Sequence, residues 1–431
     1  MPPSAMELCV RWIHSDGVAH VDAADKTVAS LHDSGRSYSA FERWKHVKLW
    51  LRFALHAWHT KALLPSTPTS PSSLPFLDDA LHPAETPPVV IRELYEPVQV
   101  LGKGAFGLVV LSRKASTNEL VAIKSIDKSK VCPDEAARLL TEREILSRAQ
   151  HPFVVQLERA FESPTHYHFV LEYCPGGDLY SLLETSERLD APLALFYTAS
   201  IASALLYMHH VCGIAYRDLK PENILLDAKG FVRLTDFGLA KQAMDAYSTT
   251  TFSFCGSVDY MAPEIILGCG YGLAADIWSL GCVVYEMFTG LPPFYTTAGR
   301  AVLFERICRG DVVYPASLIP PDACTFIAKC LQLDPTKRGT IEELLDHPFL
   351  ASIDWYQLAI QQVPVPHVPA LAATDDTHHF GDQFTSQPLP HDALVDVAAD
   401  DDNLLSAFDW TREPAPSPAK PTMPPPNVAA G

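Results

Sequence analysis

The ten cysteines of this 431-residue chain include no Cys-x-x-Cys pair and no spacing of the zinc-finger kind. The neighbouring histidines His209-His210 and His378-His379 lack carboxylate or cysteine companions at ligand spacing, so no such metal site is expected. The first residues, Met-Pro-Pro-Ser, are not a charged start followed by an apolar run, so no signal peptide is expected. With scattered, unpaired thiols the expected location is the cytoplasm, with the nucleus or a membrane periphery as further places. Positive charge is scarce. Against 51 Asp and Glu stand 33 Lys and Arg, a net charge of −18, which argues against nucleic-acid binding by the chain as a whole. Long apolar runs are also missing, with one exception at 191–215. That stretch is about long enough to span a bilayer, but it carries Tyr197, Thr198, Ser200, Ser203 and two histidines and runs straight into a charged loop. A buried central helix is the expectation there.

What is present belongs to a core-forming protein: 48% hydrophobic and 19% charged residues, with length for two or three units or one large two-lobed domain. The 36 prolines concentrate at both ends, which places expected disorder outside a compact middle. Residues 1–38 suggest no role. Ser39 and Glu42 form a capping box, and Phe41, Trp44, Val47, Leu51, Leu55 and Trp58 then recur at three- and four-residue intervals. The spacing predicts a helix over about 39–64. Its other positions carry Arg43, Lys45, Lys48, Arg52 and Lys61, a basic amphipathic pattern suited to an anionic membrane or an acidic partner. The plainer alternative is an extra helix packed on the rest of the protein. Residues 65–88 read as a flexible Pro/Ser/Thr linker with Thr67-Pro68 and Ser70-Pro71 as candidate phosphosites.

Further motifs follow in order. Leu101, Gly102, Gly104, Gly107 and Val109 lie in a G-x-G-x-x-G-x-V loop between two strand-like runs. Glycines there let backbone N–H groups approach phosphates. A strand rather than a helix follows, which disfavours the dinucleotide-binding version of the pattern. Val121-Ala122-Ile123-Lys124 supplies a lysine for the α- and β-phosphates, and Glu142 on the next helix is its expected ion-pair partner. At 171–177 a strand ends and breaks, and there the backbone of Glu172 and Cys174 would meet an adenine edge, beside Ala122 and Leu225. Tyr216-Arg217-Asp218-Leu219-Lys220-Pro221-Glu222-Asn223 brings together a carboxylate to accept a hydroxyl proton, a cation for a moving phosphoryl group and an amide oxygen for magnesium. Asp236-Phe237-Gly238 adds the second magnesium-binding group. Glu264 should pair with Arg338, and Asp276 should brace the loop from below.

With these motifs in this order, residues 95–349 resemble a eukaryotic protein kinase domain, small lobe 95–171 and large lobe 175–349. The expected fold is α+β and bilobal. Tyr216 before Arg-Asp, the run Ser253-Phe254-Cys255-Gly256-Ser257 and a tail over 350–431 are similar to the group of protein kinases A, B (Akt), C and the ribosomal-protein kinases. The resemblance implies a serine/threonine kinase using ATP and Mg2+, protein substrates, and an upstream kinase acting on Ser253, with Arg217 and Lys241 receiving the phosphate. It implies a monomer, and it places Asp178, Glu222 and Glu286 where carboxylates grip arginines upstream of the target residue. Three positions depart from the group pattern: Ser253 and Ser257 replace threonines and Val258 replaces proline. A scaffold without activity would have lost one of the reactive side chains, and none is lost. In the tail, Phe380 to Thr385 resembles the tether that reaches the nucleotide pocket, with Gly381 in place of the usual Asp. Leu405 to Trp410 resembles the terminal hydrophobic motif, with Phe408 and Trp410 as its aromatics and Asp409 at its phosphosite. Asp392 stands near the other tail phosphosite, and 411–431 is expected to be disordered.

Overall fold

The computed structural model describes residues 94–104, 107–242, 257–269, 272–389 and 408–412. The helix at 39–64, the linker 65–88 with its candidate phosphosites, Ser253 and its neighbours, Asp392 and 413–431 lie outside the described residues.

The first part of the described chain is antiparallel sheet. Strands β1 (Tyr95–Lys103), β2 (Gly107–Lys114), β3 (Leu120–Asp127), β4 (Leu157–Glu162), β5 (His166–Glu172) and a two-residue β10 (Trp410–Thr411) run in the order β1-β2-β3-β5-β4-β10. Period-two alternation on β3 sends Val121 and Ile123 into a cluster with Tyr95, Phe161 and Val170. Ala122 and Lys124 consequently point to the opposite face. Helix α1 (Pro133–Arg148) begins with Pro at its first position, and Glu135 Oε2 accepts from the Cys132 N–H at 2.9 Å. Its buried residues are Glu142, Ile145 and Leu146, so one narrow face meets the protein and carries a carboxylate inward.

The remainder is largely helical. After α2 (Leu179–Ser186) comes α3 (Ala191–Tyr207), capped by Asp190, which accepts from the Leu193 N–H at 3.0 Å. Among the described residues 191–212 is one helical stretch apolar and long enough to cross a bilayer, and 72% of its most apolar window is buried inside the protein. The expected core helix is therefore there, but it stops sooner than the apolar run. Met208–Cys212 widens into a π turn, Gly213 takes φ 65°, and Ile214–Ala215 is a short strand, β6. β7 (Ile224–Leu226) pairs with β8 (Val232–Leu234), and β6 pairs with β9 (Lys241–Gln242). The β6–β9 pair and the β7–β8 hairpin flank the loop 216–223. Helices α4 (Pro263–Ile266), α5 (Ala274–Thr289), α6 (Arg300–Arg309) and α7 (Pro321–Cys330) follow. Helix α5 is buried nearly all round, with Trp278 stacked on Phe294. The short helix Trp355–Ala359 groups apart from this unit.

Candidate active site

The loop 216–223 is held from inside the protein. The Asp276 carboxylate, fully buried on α5, accepts from the Tyr216 and Arg217 backbone N–H groups at 2.8 and 2.7 Å and lies 2.7 Å from His209 Nε2. Arg217 sits at φ 69° and Asp236 at φ 59°, left-handed conformations unusual for these residues and maintained only where the surroundings over-determine them. Asp218, 7% exposed, lies 3.0 Å from Lys220 Nζ, and its Oδ2 accepts from Asn223 Nδ2 at 2.8 Å. Ser257 completes this group: its hydroxyl accepts from Lys220 Nζ at 2.9 Å and its N–H donates to Asp218 Oδ1 at 3.2 Å. The serine in the group's threonine position thus brings its hydroxyl to Lys220.

Facing this loop, Lys124 Nζ lies 2.9 Å from Glu142 Oε1 and 3.4 Å from Asp236 Oδ1. Burial works against the ammonium, but the two carboxylates outweigh it and hold the amine above the ordinary lysine range. The same ammonium holds the Asp236 carboxyl below its usual range. A hard divalent cation takes oxygen donors. Asn223 uses its amide N–H groups on Asp218 Oδ2 and on the Asp218 carbonyl, which leaves its Oδ1, and the Asp236 side chain is 48% exposed. Carboxylate and amide oxygen together suit Mg2+.

At the end of β5 the Glu172 N–H bonds the Gln156 carbonyl at 3.0 Å, and the residue pairs with Val121 on β3. Its side chain pairs with Arg233 at 3.1 Å. Cys174 is buried, and burial pushes its thiol well up. Leu101 is buried, Val109, Ala122 and Leu225 are half-buried, and Leu225 bridges to Asp178. The glycines do not share one reason. A Cβ on Gly102 would meet nothing within 4 Å, whereas one on Gly107 would lie 2.1 Å from the Ser125 carbonyl. Gly107 therefore permits the close pairing of β2 with β3, a packing requirement the phosphate argument does not contain.

The three acidic positions differ. Glu286 is 5% exposed, and Tyr260 Oη donates to its Oε2 at 2.7 Å. Burial, with Glu222 and Asp259 nearby, pushes its carboxyl up to about 7 against the Tyr260 hydrogen bond. Glu222 is exposed, yet partial desolvation by its surroundings raises its carboxyl too. Asp178 also serves the backbone, because its Oδ1 accepts from the Ser181 N–H at 2.7 Å and caps α2, and the Tyr180 N–H and the Ser181 hydroxyl also bond its carboxylate. Arg217 donates from Nε to the Leu239 carbonyl at 2.6 Å, and Lys241 lies on β9 opposite Ala215.

The tail touches the sheet at both edges. Thr377 Oγ1 and the Thr385 carbonyl bond the Gln99 side chain at 2.9 and 2.8 Å on β1. Phe380 stacks on Tyr173 with centroids 6.0 Å apart, and Tyr173 Oη donates to the Asp376 carbonyl at 2.6 Å. Phe408 is 1% exposed against Tyr167 and Phe169, Asp409 Oδ1 accepts from the Glu162 N–H at 3.1 Å, and Trp410 pairs with Ala160 on β4. Tyr173, Phe169 and Ser257 are contributors whose parts in the site the sequence motifs do not assign. For Tyr173 the available signal is an aromatic in the segment joining the lobes.

The protein kinase domain profile matches residues 95–350. The chain belongs to the protein kinase family. It is 39% identical over 333 residues to the serine/threonine-protein kinase YPK1 of Saccharomyces cerevisiae, covering 76% of this chain and 48% of that one. It is 40% identical over 306 residues to the RAC serine/threonine-protein kinase of Drosophila melanogaster (70% and 49%) and 40% over 301 to protein kinase C eta type of Rattus norvegicus (68% and 44%). The chain thus spans about half the length of these curated relatives. They belong to the protein kinase A, B and C group that the tail motifs resemble, and this family uses ATP and Mg2+.

Proposed function

We propose that this protein is an active serine/threonine kinase that transfers the γ-phosphoryl group of ATP to hydroxyls of protein substrates. The observation that carries the reading is the convergence of Lys124, Glu142 and Asp236 with Asp218, Lys220 and Asn223. Asp218 orients the attacking hydroxyl and takes its proton as the oxygen–phosphorus bond forms and the bond to ADP breaks. Lys220 lies beside it for the moving phosphoryl charge, and Lys124, fixed by Glu142, holds the α- and β-phosphates. Mg2+, bound by Asn223 and Asp236, supplies neutralisation of phosphate charge. Glu286 and Glu222 accept guanidinium groups, which makes peptides with upstream arginines the preferred class, and Asp178 adds negative charge beside them. An upstream kinase acts on Ser253, with Arg217 and Lys241 as recipients of that phosphate. Phe408, Asp409 and Trp410 form a docking motif whose carboxylate stands in part for a phosphate, because it carries one charge where a phosphate carries about −1.5 to −2.

The test is phosphate transfer to an arginine-rich peptide by the parent and by Asp218→Ala, with melting followed in parallel. Loss of transfer at an unchanged melting temperature is expected. Activity retained by Asp218→Ala would sink the assignment of the base.

A further inference from the structure

Lys124 and Phe169 are direct partners across β3 and β5, so their side chains leave the sheet on the same face. Phe169 is fully buried, and Lys124 Nζ lies 5.8 Å from its ring centroid, within reach of the negative ring face. Phe408 meets the same ring edge-on, with centroids 5.2 Å apart and 86° between the planes. It also meets Tyr167, two residues earlier on that face, at 4.9 Å. One side chain therefore separates the tail from the ammonium.

We propose that Phe169 is a positioning residue for Lys124, and that the docked tail acts on the lysine by holding this ring in place. The inference rests on the reading of 408–410 as a docking motif. A lysine stem has four carbons and loses much rotamer freedom when fixed, whereas a packed phenylalanine has few conformations to lose. Glu142 and Asp236 attract the ammonium, but both are themselves acceptors at the end of rotatable chains. The ring beneath the ammonium adds a wall, and a wall is only as firm as its backing. Removing Phe408 leaves a cavity beside Phe169 into which the ring can relax, and the lysine then samples positions away from the phosphates.

Four full-length proteins with equally phosphorylated Ser253 test this: the parent, Phe408→Leu, Phe169→Met and the double variant. Methionine conserves volume and keeps a favourable contact with the Phe408 ring, but it presents no aromatic face to the ammonium. The measurements are KM for ATP, kcat, the rate at which an ATP acyl-phosphate acylates Lys124, and the melting temperature. Each single change should raise KM for ATP about three- to tenfold, the range of a partly desolvated cation–ring contact, and slow acylation similarly. The double variant should be no worse than the worse single one. Should Phe169→Met melt early, Phe169→Leu replaces it, with acylation normalised to folded protein.

If Phe408→Leu keeps its whole effect in the Phe169→Met background, the tail reaches the lysine by another route and the proposal falls. An unchanged KM and acylation rate in Phe169→Met overturns the positioning role. A Phe408→Leu protein identical to the parent overturns the docking reading itself, separately from Phe169.

Discussion

Two ion pairs in this molecule use the same chemistry in opposite ways. Arg338 and Glu264 form a bidentate pair at 2.6 and 2.7 Å, with side chains 0% and 8% exposed. The remaining guanidinium donors reach the carbonyls of Gln332, Ala274 and Leu333, and the group lies 5.0 Å from the Trp278 ring. Nothing about it invites a ligand. Lys124 instead stands between Glu142 and Asp236 with its side chain 25% exposed. Its partners make one close contact and one long one, so an incoming anion can join without breaking a saturated network. The fold thus distinguishes a closed pair, which fixes how the segment ending at α4 sits against α5, from an open one, which has room for a further anion.

The largest effect should come from opening the closed pair. Arg338→Met leaves Glu264 buried without its cation and should cost about 3–5 kcal/mol in denaturant unfolding. Adding Glu264→Gln should recover part of that loss, and an unchanged midpoint in the single variant would break the comparison. Removing the open pair should show the reverse pattern. Lys124→Met should lower kcat/KM by about 10²–10³-fold, the scale of losing one fixed electrostatic contact at a transition state, with little change in melting. A large drop in melting would mean that Lys124 is closed in the same sense as Arg338.

Glu286 sharpens the contrast as a buried acid held by the Tyr260 hydroxyl rather than by a cation. With its carboxyl raised to about 7, it is largely neutral at pH 6 and largely ionised at pH 8. If only the ionised form grips a guanidinium, KM for an arginine peptide should fall about tenfold over that range. Glu286→Gln should flatten the profile, and a peptide without arginines should follow neither trend. The smallest expected effect is at Asp409. Asp409→Asn keeps an acceptor for the Glu162 N–H but removes the charge, so kcat should drop about twofold, the scale of a hydrogen bond losing its charged partner at a half-buried edge. Tail hydrogen exchange should rise alongside, and no change in exchange would mean the charge contributes nothing to docking.

Legibility in the sequence follows chain separation. Asp218, Lys220 and Asn223 lie within one loop, so their spacing alone announces a shared role, and the structure joins all three. Glu142 is readable because it shares an inward face with Leu146, a consequence of helical periodicity. As a member of the acidic set Asp178 suggests a contact for substrate. Its place just before the helical Leu179-Tyr180-Ser181 is an N-cap signal that points to its capping role as well. The contacts Tyr173–Asp376 and Phe169–Phe408 join residues more than two hundred positions apart, and no local pattern encodes them. The reason for Gly107 is hidden likewise, since it depends on how closely β3 passes.

The two residues of β10 have a consequence for solubility. Without them β4 would be the outer strand on that side of the sheet, presenting unpaired N–H and C=O groups beside the apolar hollow that Phe408 fills. Unprotected strands of that kind recruit other chains. A chain shortened before Phe408 should therefore self-associate through β4 as its concentration rises, and a charged substitution on that strand should return it to a monodisperse state.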